Sequence, residues 1–160
     1  MSAKEAGGSV ERVRAALLAA GHPDTIAEFP AGTRTAADAA AAVDCTVAQI
    51  AKSIVFRAGA RAVVVITSGG NRVDPAKVEA ALGRKIGRAD ADWVRETTGF
   101  AIGGVAPVGH KDPPLILLDE DLLALDPVWA AAGSPSHVFR TSAAELLRIT
   151  GAKAVCVKSG

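Results

Sequence analysis

Apolar residues at Val10, Val13, Leu17 and Leu18 recur at helical spacing, with Glu11 and Arg12 outside the stripe and Gly21 as a stop. The pattern predicts a first amphipathic helix from Ser9. His22-Pro23-Asp24 is turn chemistry, and Thr25-Ile26-Ala27-Glu28-Phe29 alternates as a short strand before Pro30. Thr35 with Asp38 three residues on resembles a capping pair, and the alanine-rich run through Val43 predicts a second helix. A short helical turn from Thr46 to Ile50 follows. It gives way to two β-rich runs, Lys52-Ser53-Ile54-Val55-Phe56 and Arg61 to Thr67, which read as a hairpin of central strands across Ala58-Gly59-Ala60.

Asp74-Pro75 supplies a cap and a first-turn proline for a helix ending at Leu82-Gly83. A short strand from Lys85 to Arg88 leads to a helix from Asp90 through Trp93 to Thr97, closed by Gly99. Pro114 to Leu118, Val128 to Ala132 and His137 to Thr141 read as strands, the last two joined across Gly133-Ser134-Pro135. A capped helix, Ser142 to Ile149, and a strand, Ala154 to Lys158, complete the pattern. Strands outnumber helices and mostly lie close together in sequence. The expected fold is α+β, a mixed, mostly antiparallel sheet or open barrel flanked by helices. A doubly wound parallel sheet is the second choice, and the predicted hairpins count against it. At 160 residues, the chain is expected to form one domain, 1–160.

Composition narrows the class without altering this architecture. Hydrophobic residues make up 49% and charged residues 22% of the chain, which argues against a disordered or fibrous protein. Aromatic residues are only 4%, with no Tyr, so the core is expected to be built from Val, Ile, Leu and Ala. A net charge of +1 carries no global signal for nucleic acid, and any RNA contact is expected to be local. Cys45 and Cys156 lack C-x-x-C spacing and read as reduced cytoplasmic thiols. The first ten residues hold no apolar run and do not read as a signal peptide. No stretch reaches the roughly 20 apolar residues of a membrane span.

Candidate chemistry gathers around Lys52 and residues 99–109. A lone Lys at the entrance to an apolar strand either snorkels to solvent or points its ammonium at an anion. Ser53 lies on the opposite face of that strand and, with no G-x-S-x-G elbow around it, reads as structural rather than nucleophilic. Residues 99–109 hold four glycines and Pro107 amid Phe100, Ile102 and Val105, too apolar a mix for a solvated loop. Gly103-Gly104-Val105-Ala106-Pro107 is either a tight structural turn or a stretch that brings N–H groups to a ligand. Neither G-x-G-x-x-G nor G-K-[ST] is present, which argues against NAD or ATP.

His22, His110 and His137 are scattered without metal-ligand spacing and read as surface or capping residues. His137 follows Ser134 by three residues, but the sequence shows no orienting carboxylate to make a triad. Asp119-Glu120-Asp121 reads as a solvated acidic turn, with a metal role as the alternative. These residues alone give a glycine-lined pocket with a nearby cation, and they do not name a reaction.

Three stretches in order, Thr46-Val47-Ala48-Gln49-Ile50-Ala51-Lys52-Ser53-Ile54-Val55-Phe56, Asp74-Pro75-Ala76-Lys77-Val78 and Thr98-Gly99-Phe100-Ala101-Ile102-Gly103-Gly104-Val105-Ala106-Pro107-Val108-Gly109, resemble the YbaK/prolyl-tRNA-synthetase-associated editing family. The resemblance runs from about Thr35 to Val157, and Gly133-Ser134-Pro135 followed by Val138-Phe139 is similar to that family's last hairpin. It implies an aminoacyl-tRNA deacylase that hydrolyses, in trans, the ester joining a wrong amino acid to tRNA, commonly tRNA(Pro). Ala, Ser, Thr or Cys would be removed. A pocket that measures size separates one methylene by roughly 1–3 kcal/mol, so small misactivated amino acids call for a second sieve.

Carried over by the same resemblance, Lys52 binds phosphate or ribose at the tRNA 3′ end, and the N–H groups of Gly103 and Gly104 face the aminoacyl carbonyl and its developing oxyanion. Val105 and Ala106 shape the amino-acid pocket, and Pro107 fixes the loop. Ser53, Phe100, Ser134 and His137 join them as substrate-binding candidates. No cofactor, metal or nucleophilic side chain is implied: an ordered water, assisted by a ribose hydroxyl, attacks the ester. Ala106 departs from the Ser that cysteine-clearing members tend to carry before the loop proline, which weighs against Cys. The implied partners are the acceptor 3′ end of an aminoacyl-tRNA and prolyl-tRNA synthetase, with no membrane, and the protein a monomer or homodimer. Two other classes stay open: a non-catalytic tRNA- or synthetase-binding module on the same fold, and a small-molecule esterase using Ser134 and His137.

Overall fold

The computed structural model describes residues 3–30 and 35–160. Helix α1 (Ala3–Ala19) starts before Ser9 and buries Val10, Val13 and Leu17, whereas Leu18 stays exposed on its outer side. After β1 (Ile26–Glu28), α2 (Ala36–Ala42) opens with the expected capping box: the Asp38 N–H donates to Thr35 Oγ1 at 3.0 Å and the Thr35 N–H to Asp38 Oδ2 at 3.2 Å. In the 3-10 turn Val47–Gln49, Gln49 Oε1 accepts from the Thr46 N–H at 2.8 Å. Its Nε2 donates to the Pro127 carbonyl at 2.9 Å, tying this turn to the start of a distant strand.

Strands β2 (Ile50–Ala58) and β3 (Arg61–Ser68) form the expected hairpin, in register from Ala51 opposite Ser68 to Ala58 opposite Arg61. Because β2 starts at Ile50, Lys52 is its third residue and lies within the strand rather than at its entrance. Asp74 caps α3 (Pro75–Leu82), and β4 (Gly87–Arg88), α4 (Ala91–Thr98) and β5 (Leu115–Asp119) follow. The chain ends with β6 (Val128–Ala131), β7 (His137–Thr141), α5 (Ala143–Thr150) and β8 (Lys153–Val155). β8 stops short of Lys158 because its partner β5 ends at Asp119, opposite Val155. Lys158 instead bridges to Val73.

The strands form an open, mixed sheet in the order β1-β7-β6-β2-β3-β5-β8, with β4 also paired to β2. Pairs β1/β7, β6/β7, β2/β3 and β2/β4 are antiparallel, and β2/β6, β3/β5 and β5/β8 are parallel. This is the expected α+β class; its hairpins rule out the doubly wound alternative. β3 is buried on both faces, which explains its unbroken apolar run. Val64 and Ile66 pack with Val13 and Leu17 of α1, Val94 of α4 and Leu146 of α5, while Val63 and Val65 pack with Val78 of α3. A third cluster joins Ala39 and Ala40 of α2 to Ile50 and Val138.

The acidic run is not solvated throughout: Glu120 is exposed, but Asp119 is not. Asp119 is 1% exposed, and its Oδ2 accepts from Thr67 Oγ1 at 3.0 Å, the Ser68 N–H at 3.1 Å and Asn71 Nδ2 at 2.8 Å. Its Oδ1 accepts from the Asp121 N–H at 3.0 Å, capping the 3-10 helix Glu120–Ala124. A carboxylate is tolerated at this depth because donors reach both oxygens. The hub fastens the end of β3 and residues 69–71 to β5. Replacing Asp119 by Asn turns one acceptor into a donor facing other donors and is expected to cost about 3 kcal/mol. Thermal unfolding should read this as a fall in Tm of roughly 6–12 °C.

Candidate functional site

On its β3 side β2 is paired from Ala51 to Ala58. On the other side it pairs with β6 only through Ile50 and Ala51, and with β4 only through Phe56 and Arg57. Residues 52–55 therefore have no ladder partner there among the described residues, and the sheet carries a notch. A cavity of about 310 Å³ fills it. Residues 51–54 form its floor, Trp129 and Ala131 of β6 and the turn Ser134-Pro135 one wall, and Ala36 and Ala39 of α2 another. Ile102, Gly103 and Val105 close it from above, and His137 and Val138 of β7 complete it.

Two polar features stand out in this mostly apolar space. Lys52 sits on the rim, half-buried, and makes no ion pair among the described residues. Ser53 Oγ is buried in the wall with no hydrogen-bond partner among the described residues. A buried hydroxyl without a partner costs free energy unless a ligand or water meets it.

Residues 99–109 are held from outside the cavity. Arg12 of α1 reaches both ends of the loop: its Nε donates to the Gly109 carbonyl and one terminal nitrogen to the Gly99 carbonyl, each at 2.8 Å. Its guanidinium also lies 4.6 Å from the Phe100 ring centre. Phe100 is 1% exposed and meets His110 edge-on, and His110 Nε2 donates to the Ala106 carbonyl at 2.6 Å. That assigns the proton to Nε2, leaving Nδ1 buried and without a hydrogen-bond partner among the described residues. Burial pushes the His110 pKa down; the Ala106 carbonyl opposes this and the Arg12 charge adds to it.

Gly104 lies so close to the second hairpin that a Cβ would stand 2.7 Å from Ser134 Cα, and only glycine fits. Its N–H donates to the Ala101 carbonyl at 2.9 Å. Gly103, at φ +92°, carries the turn on the cavity side. Among the described residues no cluster of His, Cys, Asp or Glu could hold a metal ion, and no helix is long and apolar enough to cross a membrane.

The family model describing an aminoacyl-tRNA editing domain matches residues 30–149. The chain belongs to this family. A solved structure described as a candidate trans-editing enzyme for prolyl tRNA synthetase is 46% identical, with 95% of this chain and 98% of that one covered and a TM-score of 0.90. A second, of the hypothetical protein APE2540, is 27% identical over 92% of this chain and 99% of that one, with a TM-score of 0.84. The uncharacterized protein YwhH of Bacillus subtilis (strain 168) is 28% identical over 146 residues, 91% of this chain and 93% of its own.

In this editing domain, the residues singled out from sequence divide into two groups. Lys52, Ser53, Gly103, Val105, Ser134 and His137 line the cavity. Phe100, Gly104, Ala106 and Pro107 lie behind its wall, because the loop turns its backbone to the cavity and buries these groups against the core. Phe100, Ala106 and Pro107, expected at the substrate, are thus not among the residues that line the cavity, and the Gly104 N–H is already committed to Ala101.

Ser134 Oγ lies 2.7 Å from His137 Nδ1, but it also accepts from the Ser136 N–H at 3.1 Å, so it serves the turn. The sheet register sets Glu28 opposite His137, with its carboxylate 3.9 Å from Nε2 and largely exposed, too far to orient the ring as a triad requires. Sequence reasoning missed Arg12 and His110. Arg12 showed only as a polar residue off the apolar stripe, and His110 only as a lone histidine after the glycine loop.

Arg12→Ala is expected to speed amide exchange of residues 99–109 roughly tenfold. Arg12→Lys should not restore protection, since an ammonium cannot span both carbonyls and stack on Phe100. His110 gives a pH signature. The unfolded imidazole takes a proton near pH 6.5, the folded one only at lower pH. Its stabilising contribution is therefore full above about pH 6.5 and is lost as pH falls through the folded pKa. Urea unfolding at neutral and mildly acidic pH should show this loss in the wild type and a smaller one in His110→Gln.

Proposed function

We propose that the notch cavity hydrolyses mischarged aminoacyl-tRNA in trans, acting on tRNA(Pro) that carries a small wrong amino acid, Ala, Ser, Thr or Cys. The reading is carried by one observation: an apolar cavity with a cation at its rim and an unpartnered hydroxyl in its wall, in a chain of the editing-domain family. At about 310 Å³ the space lies at the small end of ligand pockets, suited to a small side chain and its ester.

Lys52 holds the 3′-terminal phosphate or ribose at the rim, a charge-assisted contact that sets the ester over the floor. An ordered water attacks the carbonyl carbon, and the oxyanion forms against the Gly103 side of the loop, where its N–H is free of other acceptors among the described residues. Collapse breaks the ester C–O bond, and the proton passes to the departing ribose oxygen. Ser53 Oγ bonds the substrate from the wall, with Ser134 and His137 at the mouth. Val105 and Ile102 set the size limit. Ala106 sits behind them, so its identity bears on Cys only indirectly. Prolyl-tRNA synthetase is the proposed source of the mischarged tRNA.

A panel of mischarged tRNAs incubated with the purified protein tests this. The wild type should clear a small-residue ester on tRNA(Pro), and Lys52→Ala should lower kcat/KM by roughly 10- to 100-fold. Wild-type rates in Lys52→Ala would overturn the role of the lysine. Persistence of every ester at high protein concentration would favour the non-catalytic binding module.

A further inference from the structure

Charge is unevenly divided along this chain. Between Lys52 and Arg88 eight lysines and arginines stand against two carboxylates, while the rest of the chain has ten against fifteen, so a net charge of +1 conceals a cationic segment. The two carboxylates are already engaged: Asp74 Oδ1 accepts from the Ala76 N–H and Glu79 Oε2 from the Ile86 N–H. Arg72, Arg84, Lys85 and Arg88 are exposed, and their side chains, like that of Lys52, make no ion pair among the described residues.

The fold lines these cations up from the cavity mouth. Lys52 belongs both to the cavity rim and to an adjoining groove lined by Ile54, Phe56, Gly70, Arg72 and Pro75. Four residues along β2, roughly 13 Å away, β4 sets Arg88 opposite Phe56 and hence on the same face of the sheet as Lys52. Arg84 and Lys85 lie between α3 and β4, beyond the C-terminal end of the helix.

We infer that this strip is a docking surface for the double-stranded acceptor stem of the RNA whose 3′ end enters the cavity. The inference rests on the proposed function for the identity of that RNA. The apolar cavity holds only an aminoacyl group, whereas a duplex stem presents a regular row of phosphates beside it. Cations without protein partners, continuous with the site, fit that polyanion.

Fluorescence anisotropy with an uncharged hairpin, the tRNA(Pro) acceptor stem with its single-stranded end, tests the surface apart from catalysis. Binding by the wild type should weaken steeply between roughly 50 and 200 mM salt. In the R84A/K85A/R88A variant, folded by circular dichroism, the log–log salt slope should shrink by about 2 to 3. Arg72→Ala alone should shrink it by about 1. Hydrolysis of 3′-aminoacyl-adenosine, which has no stem, should keep its wild-type rate in the triple variant.

An unchanged slope and affinity in the triple variant would overturn the inference, as would an equal loss on aminoacyl-adenosine. A wild type that cleaves no ester defeats the proposed function only, and the hairpin measurement still decides the surface.

Discussion

β2 is nine residues long, and the strands that meet it on one side are short. β6 shares two ladder positions with it and then turns away at Gly133, and β4 contributes two more further along. Backbone N–H and C=O groups left between them cannot be buried dry without cost, so the gap must face water or a ligand. The cavity, the exposure of Lys52 at its rim and the stranded hydroxyl of Ser53 all descend from this mismatch in strand length. Continued pairing of β6 along residues 52–55 would carry the ladder across the notch and remove the site.

Above the notch the loop presents Gly103 with Ile102 and Val105, and keeps its other apolar side chains behind. Arg12 spans the two ends of the loop, Phe100 is held beneath that guanidinium, and His110 fastens the Ala106 carbonyl. Gly104 lets the loop lie against Ser134. Phe100, Ala106 and Pro107 thus serve as anchors, and few side chains of the loop remain in view of the cavity. Apolar and cationic surfaces are also separated in space. The cavity is apolar and small, while the cations gather on the face that leads away from it.

Much of the frame could be read from local chemistry. Thr35 with Asp38, Asp74 with Pro75, and the hairpin around Gly59 each specify their structure within a few residues, and each is present. What sequence could not supply is sidedness and partnership. Nothing local says that the loop turns Val105 toward the cavity and Ala106 away from it, or that Asp119 is buried while Glu120 beside it is exposed. The notch was equally invisible, because it is set by the lengths of β4 and β6, both distant from Lys52 in the chain. The family outline came from motif resemblance. The separation of wall from backing came from the packing.

The pairing of β1 with β7 joins residues 26–28 to residues 137–139, and the cavity takes its walls from between those limits. Closing so long a loop carries an entropic cost that is repaid only when the non-local contacts form, and folds dominated by such contacts assemble slowly. The β2–β3 hairpin, with Lys52 on it, needs no such closure. The strand that carries the lysine thus pairs through contacts close in sequence, whereas the pocket beside it depends on the long closure. A chain interrupted ahead of β7 would retain the cation and lack the cavity.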